Sequence, residues 1–226
     1  MKRILHVLKM LLMNSCAEST DKKKEVPSSK ELKPDVKVTS KTKVDSVAKN
    51  SFEITFPLDS LLSFDSEKEL QKVFGKNAKR SVGYLPEGSG EYANTVLFPN
   101  SKNEVEFVWE DDSIHFDKLA FIRISGKNTD WKTKEGITIG TGIKELESHN
   151  KRVFTFYGLG WDYSGFIDWN KGNLFERGIF GNLEYPGDAI PLDFEGLLGD
   201  QKIKSSSKLA INAKLVLRKL IMKPSN

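Results

Sequence analysis

All 23 aromatic residues of this 226-residue chain, 14 Phe, 5 Tyr and 4 Trp, lie between Phe52 and Phe194, and none occurs in the first fifty positions. Each buried aromatic side chain removes on the order of 150–250 Å2 from water and dominates core energetics. A packed core can therefore be assembled only from about residue 51 onward. Residues 17–50 are rich in Lys, Ser, Thr, Glu, Asp and Val, carry Pro27 and Pro34, and have no ring to bury. Such a stretch cannot offset its ordering entropy by apolar burial, so it reads as a disordered linker. Treated as a flexible coil it spans roughly 30 Å root-mean-square. Residues 51–226 are then expected to form one folded domain of ordinary size.

Composition narrows the function classes. Charged residues make up 29% of the chain, mean hydropathy is −0.42, and no apolar run approaches the roughly 18 residues of a spanning helix. That excludes a polytopic helical membrane protein. A single cysteine, Cys16, excludes a disulfide-stapled scaffold, and with three His it yields no zinc-ligand spacing. No metal and no cofactor is expected. The formal charge of +4 divides unevenly. Residues 1–15 hold Lys2, Arg3 and Lys9 with no acid, and residues 17–50 hold 9 basic against 6 acidic side chains. The expected domain is left with 23 basic and 25 acidic residues, a net −2. The basic bias thus belongs to the segments outside the domain, and no basic recognition motif for nucleic acid is present.

Residues 1–16, MKRILHVLKMLLMNSC, open on Lys2 and Arg3, continue through a mostly apolar stretch over 4–13, and end in the sole cysteine. This is the form of a secretory signal. Ile4, Leu8, Leu11 and Leu12 also fall at helical spacing, so an amphipathic cytosolic helix is the alternative. With Ser15 immediately before Cys16 and Met13 three before it, the segment resembles a bacterial lipoprotein signal. The resemblance implies cleavage after residue 15, lipidation of Cys16, and a domain tethered to the membrane of the bacterial cell envelope. Ala17 after the cysteine implies the outer membrane, with the domain facing the periplasm or the surface.

Within 51–226 the patterning predicts α+β architecture: a curved antiparallel sheet with two short helices. Phe52, Ile54 and Phe56 alternate up to Pro57 as a short strand would. Ser66-Glu67-Lys68-Glu69 is a capping-box pattern that opens a helix with Leu70, Val73 and Phe74 on one face and Gly75 at its end. Residues 95–98 and 105–109 flank a hairpin connection, and 119–124 reads as a further strand. Lys68-Glu69-Leu70 recurs as Lys144-Glu145-Leu146, again before a predicted strand pair, 152–157 and 165–169. A tandem helix-strand-strand repeat over about 58–125 and 134–222 is therefore expected. Residues 173–180 read as another strand. So do 212–222, apolar on both faces, with Leu215, Leu217 and Ile221 opposite Val216, Leu220 and Met222; such a strand belongs in a sheet interior.

Residues 154–166, FTFYGLGWDYSGF, concentrate three glycines, Trp161, Asp162 and Tyr163 where two predicted strands meet. Trp and Tyr supply rigid amphipathic contact area and an acid accepts hydrogen bonds, which is the composition of a binding loop. The same residues also suit a glycine-permitted turn whose rings roof the sheet. We place Trp161, Asp162, Tyr163, Trp169 and Trp109 as the candidate binding set. The stretch from Gly136-Ile137-Thr138-Ile139-Gly140 through Lys144-Glu145-Leu146-Glu147 to Gly160-Trp161-Asp162-Tyr163-Ser164-Gly165 resembles uncharacterised lipoproteins of Bacteroidetes-type bacteria. In element order the domain is similar, more distantly, to the tandem modules of β-lactamase inhibitory protein and of small lipoproteins of the outer-membrane assembly machine, which implies a protein partner.

An enzyme is the rival class. His115 and His149 stand in no nucleophile-elbow or zincin pattern, and no phosphate loop is present. A small envelope hydrolase acting on glycans would have to use paired carboxylates among Asp162, Asp168, Asp188 and Asp193. The sequence thus points to a lipid-anchored envelope binding domain for a protein, peptide or glycan, with the membrane as its second partner and no nucleic acid.

Overall fold

A computed structural model of the chain describes residues 54–84, 90–110 and 116–224. Residues 1–15, Cys16, the 17–50 segment, Phe52 and His115 lie outside the described residues. The architecture is α+β: six antiparallel strands form one open sheet and three form a second, with a few short helices against them.

The capping box sets the first helix. Helix α1 spans Glu67–Phe74; the Ser66 hydroxyl accepts from the Glu69 N–H at 3.3 Å, and the Glu69 carboxylate accepts from the Asp65 N–H at 3.3 Å. Leu70 and Phe74 are buried, and Gly75 ends the helix as expected. Strand β1 (Ala78–Tyr84) follows, then β2 (Glu91–Leu97), β3 (Val105–Trp109) and β4 (Leu119–Ile124). The predicted hairpin is present, with Asn94 opposite Val108 and Leu97 opposite Val105. Val105, Phe107 and Trp109 share its core-facing side, and all three are buried.

Beyond β4 come helix α2 (Ile143–Asn150), strands β5 (Thr155–Tyr157) and β6 (Ile167–Asp168), the single turn α3 (Asn173–Glu176), strands β7 (Ile179–Glu184) and β8 (Lys202–Lys204), helix α4 (Lys208–Asn212) and strand β9 (Val216–Met222). The large sheet has the order β1-β2-β3-β4-β9-β7, and the small one β6-β5-β8. The doubly apolar β9 does lie in a sheet interior, between β4 and β7. One apolar core touches both sheets, from Leu58 and Leu61 through Phe107, Ile122 and Leu217 to Phe154, Phe156 and Trp169.

Four expectations change. Residues 54–57 form no strand; Ile54 and Phe56 pack on the core, with the Phe56 ring 5.5 Å from Trp131, and a 3-10 helix at Leu58–Ser63 follows. Residues 173–180 divide into α3 and the start of β7, because Asn150 Oδ1 accepts the Leu174 N–H at 3.3 Å and Gly178 turns the chain at φ 67. The alternation assigned to 212–222 breaks at Arg218: Asn182 pairs with Lys219 but Leu183 pairs with Leu217, so Arg218 bulges. As a result Leu217, Leu220 and Met222 share the main core, and Ile221 joins Tyr92, Val108 and Phe121 on the other face. Finally, the helix-strand-strand order occurs in both halves, but the strands after α1 enter the large sheet and the β5–β6 pair after α2 enters the small one.

Candidate functional site

The glycine-rich segment 158–165 is the turn joining β5 to β6, and neighbours clamp it on two sides. A Cβ at Gly165, which has φ +69, would lie 2.0 Å from the Leu183 carbonyl oxygen, and one at Gly158 would lie 2.4 Å from that of Gly199. Only glycine lets these backbones meet. On the β7 side the Leu183 N–H donates to the Gly165 carbonyl at 2.7 Å, and Asn182 Nδ2 donates to that of Ser164 at 2.9 Å. On the other side the Leu159 N–H donates to the Leu197 carbonyl at 2.6 Å, and the Gly199 N–H to that of Leu159 at 3.0 Å.

This clamped turn gathers three rings. Trp161 and Tyr163 have centroids 5.1 Å apart at 61°, Tyr157 and Trp161 5.8 Å at 70°, and Tyr157 and Tyr163 6.5 Å at 46°. Trp161 Nε1 donates to the Gly158 carbonyl at 2.9 Å, which fixes the indole and uses its one donor. What remains of that ring is an apolar surface. Tyr163 is 41% exposed, and Leu198 beside the turn is 44% exposed. Lys202, paired with Tyr157 across β5 and β8, places its ammonium 5.2 Å from the Tyr157 ring centroid and 3.2 Å from Asp168 Oδ2. Asp162 is exposed at the tip of the turn. The arrangement is a preorganised aromatic platform flanked by one cation and two carboxylates.

Trp161, Asp162 and Tyr163 are thus brought together, whereas Trp169 and Trp109 are not part of that surface. Trp169 is 1% exposed, packs edge-on to Phe154 at 4.9 Å and donates from Nε1 to the Ile179 carbonyl at 2.6 Å. Trp109 is 3% exposed and donates to Thr95 Oγ1 at 3.1 Å. Both are core residues whose single polar atom is satisfied internally. The same Thr95 hydroxyl reaches Glu67 at 2.9 Å, a buried carboxylate that also pairs with Arg80. The carboxylates considered for hydrolysis sit on separate elements. Asp168 is engaged on β6 by Lys202 and by the Asn170 N–H, while Asp188 and Asp193 are exposed on the 185–197 connection. His149 lies in the last turn of α2, 3.9 Å from Glu145.

Lys202 and Tyr157 were absent from the expected set. Their pairing joins positions 45 apart in sequence, and no local pattern signals it. A second polar cluster lies on the opposite face of the large sheet. Glu106 accepts from the Tyr92 hydroxyl at 2.7 Å and from Asn94 Nδ2 at 2.6 Å, and it pairs with Arg123. Burial, against the pull of the Arg123 charge, pushes the Tyr92 phenol up to about 12. Burial also lowers Lys219, helped by the neighbouring charges of Arg123 and Arg218.

Among the described residues no group of three or more His, Cys, Asp or Glu could hold a metal ion, and no helix is long and apolar enough to cross a membrane. No protein-family model matches the chain, and no curated protein matches it. Among solved structures, the uncharacterized protein YfeY from Escherichia coli is similar over 72% of this chain and 92% of that chain, at 11% identity and a TM-score of 0.38.

Proposed function

We propose that the chain is a binding protein of the bacterial envelope, held to the membrane by lipid on Cys16, that takes a protein, peptide or glycan on the Tyr157–Trp161–Tyr163 platform. The observation that supports this is the preorganised ring cluster on the turn between β5 and β6: Trp161 is fixed by its bond to Gly158, yet the cluster keeps Tyr163 41% exposed. A rigid aromatic surface of this kind loses little rotamer entropy on binding, which is why Trp and Tyr recur as anchors. Asp162, Asp168 and Lys202 around it offer both acceptors and a donor to polar groups at the edge of a partner.

The test is retention of the full chain on two immobilised materials, detergent-solubilised envelope proteins and purified cell-wall glycan, comparing it with Trp161→Ala. Retention on one material should fall at least about tenfold, as for loss of an interface anchor contributing roughly 2 kcal/mol, while Tm moves by only a few degrees. Equal retention of both proteins, or unfolding by Trp161→Ala, would refute the reading. Anchoring is tested separately: Cys16→Ala should move the protein from the membrane fraction to the soluble one.

A further inference from the structure

A second concave feature lies away from the aromatic turn. An open groove of about 500 Å3 runs along one stripe of α2, where Lys144, Glu147, Ser148 and Lys151 recur at helical spacing, and is closed by Arg152 and Ser206. It is large enough for a small ligand. Its charge is one-sided: three cations face a single carboxylate. That carboxylate is already engaged, because Glu147 accepts the Ser205 hydroxyl, whose oxygen in turn accepts the Phe154 N–H at 3.1 Å. Lys144 and Lys151 have no ion-pair partner among the described residues, and Arg152 spends only Nη1, on the Asn170 carbonyl at 2.9 Å. The one other acid on the helix, Glu145, lies beside His149.

Helix electrostatics account for part of this and leave the rest. Lys151 and Arg152 follow the C-terminal end of α2, where the macrodipole favours cations. Lys144 sits in the first turn, where the same dipole disfavours it. Lys144 is therefore an exposed, unpaired cation at the end of its helix that the dipole disfavours, and it lines the same groove as Lys151 and Arg152. Ser148 and Ser206 add hydroxyl donors, Lys204 and Lys208 flank Ser206 in sequence and are both exposed, and Val153, 40% exposed, adds an apolar wall.

We propose that this groove is a binding site for a phosphate group, specifically a phosphomonoester, with Lys144, Lys151 and Arg152 as the charge partners and Ser148 and Ser206 as hydroxyl donors. A phosphomonoester brings about −1.5 to −2 charges and three acceptor oxygens at neutral pH, matching the surplus of two positive charges and the donor set. The group can arrive free or on a lipid headgroup, and the two sources separate experimentally.

The full 226-residue chain is titrated with inorganic phosphate by NMR, and its flotation is measured with vesicles of phosphatidylcholine containing phosphatidic acid and with phosphatidylcholine alone. Each is repeated with Lys144→Gln/Lys151→Gln and with a control of equal charge change on α1, Lys68→Gln/Lys72→Gln. The groove variant should weaken binding roughly thirtyfold, by removal of two cations near a phosphate, and the control by less than about threefold. Inorganic phosphate binding that follows this pattern assigns a free phosphate ligand. Flotation on phosphatidic acid alone that follows it assigns a lipid headgroup. Absence of binding in both arms, or equal weakening by the two variants, overturns the proposal.

Discussion

Gly165→Ala tests the claim that the aromatic turn is held by close backbone approach to β7. The residue sits at φ +69, where a side chain costs about 1–2 kcal/mol. The new Cβ would also stand 2.0 Å from the Leu183 carbonyl oxygen. That atom belongs to a strand bonded along β9 and cannot rotate away, so the turn must lift instead. Lifting it forfeits the 2.7 Å bond from Leu183 N–H to Gly165 and the 2.9 Å bond from Asn182 to Ser164, at about 1 kcal/mol each. The expected loss is therefore about 3–4 kcal/mol. With a urea m-value of about 2 kcal/mol/M, the midpoint falls by roughly 1.5–2 M. Gly160→Ala is the internal control. It too has positive φ, +86, but its Cβ would meet only Leu198 Cδ2 at 3.4 Å, so the loss stays at the conformational cost of about 1–2 kcal/mol. If the two variants unfold at the same urea concentration, the clamp against β7 is not what holds the platform.

Three further outcomes follow from the same contacts. Trp169→Ala should cost about 3–5 kcal/mol in chemical denaturation, as expected for emptying a fully buried indole site, in contrast to the small effect of Trp161→Ala. Glu67→Gln should lose about 2 kcal/mol, because a buried acceptor that serves Arg80 and Thr95 gives up its charge, and Glu67→Ala should lose more. An ultraviolet pH titration should show Tyr92 ionising with a midpoint of about 12. Since the folded state keeps a proton that the unfolded chain releases near pH 10, this group's contribution to stability falls as pH rises from 10 through 12, and Tyr92→Phe should remove that slope.

The local signals were legible where they were chemically self-contained. The Ser66 capping box placed the start of α1 and Gly75 its end, and the readings over 105–109 and 119–124 coincide with β3 and β4, whereas that over 95–98 reached only the last three residues of β2. Trp161, Asp162 and Tyr163 were legible as a turn because glycines bracket them. Strand β1 was not, since an edge strand reading AKRSVGY has no apolar face to announce it. Nor was α4, which is five residues long and capped by Ser207.

By itself the sequence determined that the rings stop at Phe52 and Phe194, that the class is mixed α and β, and that the strand read over 212–222, which begins only at Val216, belongs in a sheet interior. Composition and periodicity carry such information because burial must be matched by apolar side chains wherever the chain runs. Only the tertiary structure decided which tryptophans are surface and which are core, since all four have the same local chemistry and differ in what folds over them. It also brought Lys202 and Asp168 beside Tyr157, aligned the cations along α2 with Arg152 and Ser206, and bulged β9 at Arg218. Those arrangements rest on pairings between distant segments, and the geometry of a long-range contact is written in no single stretch of the chain.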